Sequence, residues 1–139
     1  MKLRLCLALL VLLLPAALLA ADSPYQALSI EKIVQSIIDL PGLQPYLHPE
    51  VPGRVPLILM QGLVASETKL TKFDQPVLIL PKSEIGDRPC LELTRFEFKG
   101  ESILIDFQYA VEGVVGNLVF VYKDKVWQLD SCKMAEQKK

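Results

Sequence analysis

His48 is the chain's lone imidazole, and it stands in His48-Pro49-Glu50, where the Glu50 carboxylate can pair with it. An imidazole oriented by a carboxylate is the base half of a nucleophile–base system, so any Ser–His or Cys–His arrangement here would use His48. No serine completes it, because Ser66 and Ser83 both lie outside the G-x-S-x-G turn that presents a nucleophile. One His and three Cys, none at ligand spacing, exclude a zinc set, and no metal or cofactor is expected. Phosphate loops, dinucleotide fingerprints and calcium loops are also missing from the sequence. Among the carboxylates, Asp106 is the candidate general base. It sits in an alternating run, opposite in parity to Ile105 and Phe107, with Glu92 and Glu97 on the neighbouring predicted strand. In a closed concave pocket beside Tyr109 or Trp127, such a group does acid–base work. On a wet outer face it is an ordinary surface charge, and Leu104, Asp106, Gln108 and Ala110 alternate as a wet face does. An enzyme using Asp106 is therefore the alternative reading, with His48 behind it.

The elements that must position these groups begin after an export signal. Lys2 and Arg4 precede an apolar run over residues 5–14, then Pro15 and small residues. This layout predicts a signal peptide over residues 1–21, cleaved after Ala20 or Ala21. The run is too short to span a bilayer, so no stable membrane span is expected after cleavage. Loss of Lys2 and Arg4 leaves 13 basic against 16 acidic residues, a charge of about −3 that argues against nucleic-acid binding. Two cysteines remain, Cys90 and Cys132, and in an exported protein such a pair predicts a disulfide. They bracket four predicted strands, whose flat width of about 14 Å far exceeds the bridged Cα separation of about 5.5–6 Å. The bridge therefore requires a curled sheet, an altered strand order, or a chain that turns back after Ser131.

The remainder, residues 22–139, reads as a single α+β domain. Ser23, Pro24 and Gln26 predict a capped helix start, and Ala27, Ile30, Ile33, Val34, Ile37 and Ile38 form its apolar stripe. Five prolines between residues 41 and 56 impose an ordered irregular loop over 41–54, with at most a helical turn at 43–47. Residues 55–60 suit a strand or a short helix, one strand is expected within 67–73, and 77–80 form a buried strand ended by Pro81. Residues 83–89 read as loop. Four hairpin-linked strands follow over 91–98, 102–111, 117–122 and 125–131, and residues 134–139 should fray.

The stretch from Gly116 to Asp130, strand, turn and strand with Trp127 early in the last, resembles the closing hairpin of the nuclear-transport-factor-two-like and cystatin-like superfamilies. The resemblance covers about 40 residues and implies a curved antiparallel sheet wrapped around an N-terminal helix, often with a pocket. The expected fold is thus an N-terminal helix packed on a curved antiparallel sheet of four to six strands. The expected function is a small exported, non-catalytic binding module of the cell envelope, periplasmic or secreted, for a protein or small apolar ligand. Its interaction surface is expected on the proline-rich loop at Tyr46, His48 and Arg54. A further alternative, an accessory subunit of an envelope assembly, would show an exposed apolar patch.

Overall fold

The computed structural model describes residues 23–138; the expected signal segment, residues 1–21, lies outside them. The first helix, α1, spans Ile30–Ile38. Its N-cap is Ser29, whose Oγ accepts a hydrogen bond from the Lys32 N–H at 3.3 Å, and Glu31 favours the positive end of the helix dipole. This corrects the expected start. Ser23 and Pro24 belong to a turn closed by the Gln26 N–H on the Ser23 carbonyl at 2.9 Å, and Ala27 is exposed. Both serines can cap, but only Ser29 leads directly into the side chains that bury, Ile33, Val34, Ile37 and Ile38. These four join one hydrophobic cluster with Leu91, Ile103, Ile105, Phe107, Leu118 and Phe120.

The proline-rich stretch is irregular apart from one helical turn, α2, at Gln44–Leu47. Leu43 and Leu47 anchor it in the core, and the Gln44 amide donates to the carbonyls of Ile38 and Leu40 at 3.0 and 2.8 Å. The strands are β1 (Ile58–Met60), β2 (Thr71–Lys72), β3 (Gln75–Pro76), β4 (Leu78–Leu80), β5 (Leu91–Lys99), β6 (Ser102–Tyr109), β7 (Val114–Lys123) and β8 (Val126–Glu136). A short helix, α3, at Lys82–Ile85 replaces part of the loop expected there. Six strands make an open, mostly antiparallel sheet in the order β4-β1-β5-β6-β7-β8, and β2 pairs with β3 apart from it. The class is α+β, and the C-terminal four strands are a meander. The correction lies at the other side: β1 runs parallel to both β4 and β5, pairing Ile58 with Leu78 and Leu59 with Leu91. A three-residue apolar run carries no sign of its direction, and residues 61–77 give the chain length that a parallel return needs.

Within the meander the faces separate cleanly. Ile103, Ile105, Phe107 and Tyr109 of β6 are buried, while Ser102, Leu104, Asp106 and Gln108 turn the other way. Opposite Phe107 stands Gly116, and a Cβ there would overlap the Phe107 ring. The glycine leaves space for an aromatic ring to lie on the neighbouring backbone. The chain stays ordered past the expected fraying point: Glu136 pairs with Val114, and the Gln137 N–H donates to the Gly113 carbonyl at 2.7 Å.

The expected Cys90–Cys132 disulfide does not form; both are free thiols. Instead of turning back after Ser131, β8 continues through Cys132, which pairs with Leu118. That row continues through Ile105 to Phe96, well along β5, whereas Cys90 precedes the first residue of β5. Three strand spacings, about 14 Å, and the offset along β5 keep the sulfurs apart. Burial raises both thiol pKa values above the ordinary one.

Candidate functional site

Each of the three residues expected to form a binding loop is tied into the fold. Arg54 is the most enclosed, with its side chain only 10% exposed. Its guanidinium donates to the Tyr109 hydroxyl at 3.1 Å and to the Glu112 carboxylate at 2.5 Å, and lies 5.7 Å from the Tyr109 ring centroid. Burial opposes the charge, but these hydrogen bonds outweigh it and hold Arg54 above its ordinary pKa. Burial likewise pushes the Tyr109 phenol up. The Tyr46 hydroxyl donates to Glu136 at 2.7 Å, fastening the proline-rich loop to the end of β8. His48 closes α2 in the left-handed conformation and pairs with Glu50 through Nδ1 at 2.9 Å. Among the described residues no serine or cysteine hydrogen-bonds it.

Asp106 faces away from the core. Its Oδ2 accepts from Arg95 Nε at 2.8 Å, and its Oδ1 accepts from Arg95 Nη2 at 3.1 Å and Asn117 Nδ2 at 2.8 Å. The register makes this a cross-strand rung, Arg95, Asp106, Asn117 and Lys133 in one row over four strands. A second polar pair beside it joins Gln108 to Glu92 at 2.5 Å. Tyr109 is buried on the opposite face, and Trp127 belongs to that face too, so neither flanks Asp106 as a pocket base would require. The rung is a forked guanidinium–carboxylate contact that steadies register on an open face.

The sheet's core-facing side ends in a different chemistry. Phe96 and Phe98 of β5, Tyr122 of β7, Trp127 of β8 and Tyr25 before α1 form a continuous aromatic group. Ring centroids lie 5.3 Å apart for Tyr25–Phe98, 5.6 Å for Phe96–Phe98, 6.3 Å for Phe98–Trp127 and 5.5 Å for Tyr122–Trp127. Tilted and edge-to-face geometry is what the ring quadrupoles favour. Tyr122 and Trp127 are cross-strand partners around the turn Asp124-Lys125, whose φ values of 52° and 63° suit the tight hairpin. The Trp127 indole donates to the Pro24 carbonyl at 3.0 Å and ties the N-terminal turn to this corner. Much of the corner is open: Tyr25 is 58% exposed, with Phe98 and Leu129 also exposed. The Tyr122 hydroxyl is buried without a hydrogen-bond partner among the described residues. Of these residues only Trp127 stood out in the sequence. The spacing of Phe96 with Phe98, and of Tyr122 with Trp127 across a two-residue turn, was the signal for the rest.

Among the described residues, no group of His, Cys, Asp and Glu can hold a metal ion, and no helix is long and apolar enough to cross a membrane. Compared with known proteins, the chain matches no family model, no curated protein and no solved structure. What the fold and surface define is an α+β domain with an open six-stranded sheet, a charged outer face and an aromatic corner.

Proposed function

We propose that this protein is a small exported, non-catalytic interaction module of the cell envelope that docks an apolar segment of a protein partner at the aromatic corner. The observation that carries the reading is the exposed group of Tyr25, Phe98 and Leu129 beside Trp127. Aromatic side chains present large contact area with few rotatable bonds, and they dominate the binding energy of interfaces. A soluble surface without a partner gains nothing by clustering them in the open. Within this proposal α1 lies across a sheet that curves around it, as in the nuclear-transport-factor-two-like and cystatin-like folds. The stripe that α1 shares with the sheet's core cluster supports that arrangement.

Immobilised protein and its Tyr25→Ser/Phe98→Ser variant, exposed to envelope extract of the exporting host, test the reading. The reading expects a partner retained by the parent and lost by the variant, with both equally folded by circular dichroism. Equal retention by the two would overturn it. Intact mass of the exported protein should correspond to a start at Ala21 or Asp22, and a mass retaining residues 1–20 would overturn the soluble exported form.

A further inference from the structure

The outer edge of β8 is a long, unpaired strand edge that carries its own complement. β8 runs Val126–Glu136 at the end of the strand order, and among the described residues it makes no main-chain hydrogen bond away from β7. Every second residue of such an edge turns its N–H and C=O outward, ready to template another strand. The strand at the opposite edge, β4, has three residues, so it offers little to pair with. Folded proteins blunt long edges with charges or bulges, and β8 has both: the register shifts between Val119 and Phe120, leaving Asp130 as the bulged residue, and Lys133 stands three residues later. Both are exposed, and neither enters an ion pair among the described residues.

We propose that β8 pairs antiparallel with β8 of a second copy of this chain, about a two-fold axis through Cys132. The argument is complementarity in one register. With Cys132 facing Cys132 of the second copy, Ser131 and the bulged Asp130 fall opposite Lys133, so two Asp130–Lys133 pairs form, one on each side of the axis. Beyond the bulge Leu129 falls opposite Met134, Gln128 opposite Ala135 and Trp127 opposite Glu136. Directly opposed residues in an antiparallel pair must share a face. Here they do: Cys132, Leu129, Met134 and Trp127 pair across β7 with Leu118, Phe120, Gly116 and Tyr122 of the core-facing side, while Ser131, Lys133, Gln128 and Ala135 pair with the outer side. Charge, apolar contact and face agree in this register, and the bulge is what allows it. The outcome is a continuous twelve-stranded sheet with its two long edges joined. The inference is independent of the aromatic corner, sharing with it only Leu129 and Trp127.

Sedimentation at graded concentrations, and cross-linking in a Cys90→Ser background with a short bis-maleimide, test it. The expected results are a concentration-dependent dimer and a covalent dimer through Cys132 that Cys132→Ser abolishes. Asp130→Lys and Lys133→Asp each place like charges opposite one another and should weaken self-association about tenfold. Mixing the two variants restores both ion pairs in the heterodimer, so the mixture should associate as tightly as the parent. A parent that stays monomeric, a covalent dimer that forms equally with Cys132→Ser, or a mixture no tighter than its two components would overturn the proposal. An apolar partner lost by the corner variant leaves these results unchanged, so the two readings fail separately.

Discussion

Gly116→Ala tests the closest approach inside the sheet. The new Cβ would overlap Phe107, a buried ring of the hydrophobic cluster. Either the ring leaves its rotamer or β6 and β7 separate locally. Inserting a methyl into a well-packed core costs about 1–3 kcal/mol, and the overlap with ring atoms rather than a flexible chain end puts the expectation at about 2–3 kcal/mol. With a urea slope of about 2 kcal/mol/M, as small domains show, the midpoint should fall by about 1 M with the slope unchanged. The partner variant Phe107→Leu removes the obstacle and leaves a void of its own, at a cost of about 1–2 kcal/mol. The reasoning requires the two to be coupled: the double variant should be less destabilised than the sum of the singles by at least about 1 kcal/mol. Equilibrium urea unfolding followed by Trp127 fluorescence measures all four proteins. A midpoint shift below about 0.25 M for Gly116→Ala, or additive costs in the double variant, would refute the packing argument.

Three further predictions concern the same scaffold. Ile37→Ala should cost about 2–5 kcal/mol in urea unfolding, since Ile37 is fully enclosed. Arg54→Met leaves Glu112 without its cation and the Tyr109 hydroxyl without its donor, and should cost about 1–3 kcal/mol by thermal or urea unfolding; a cost near zero would show the cluster to be ornamental. Asp39 gives an acid limb: burial raises its pKa, but hydrogen bonds from Gln35 and Lys72 overcome that and set it below 3.8. A carboxyl lowered in the folded state stabilises the fold above its unfolded value and loses that contribution as pH falls through the folded value, so Asp39→Asn should flatten the stability profile below about pH 4 and leave its neutral limb in shape.

The parts of the fold legible in the sequence were those set by neighbours along the chain. The period-two run from Ile103 to Tyr109, the Gly100 and Asp124 turns and the repeat of Ile33, Val34, Ile37 and Ile38 are local signals, and the structure has the corresponding strands and helix. What escaped was set by partners distant in sequence. The direction of β1 depends on β4 and β5, and nothing within Ile58–Met60 encodes it. Ser23 and Ser29 are equal caps until the burial of the following turns separates them. The disulfide expectation came from a rule of cellular compartment, but strand order sets the distance between Cys90 and Cys132 and keeps them apart. Arg54 was expected at a binding surface because ordered loops on a rigid sheet commonly carry binding, but Tyr109 and Glu112 hold its guanidinium and leave its side chain mostly enclosed. The aromatic corner needed register: Phe98 and Trp127 come together only once four strands are laid side by side.

The parallel pairing of β1 has a consequence for the order in which the molecule can be assembled. The meander is joined by short hairpins, so its strands can find one another quickly once residues 91–136 are together. The first half has no such independence: the buried stripe of α1 belongs to the cluster that includes residues of β6 and β7, and β1 pairs with Leu91 on one flank. Closing those contacts spans long stretches of chain and is slow until the meander stands as a template. A chain delivered amino end first therefore carries an unfinished core until its last third arrives. During that interval the amino-terminal half has no completed core to hold it in one shape.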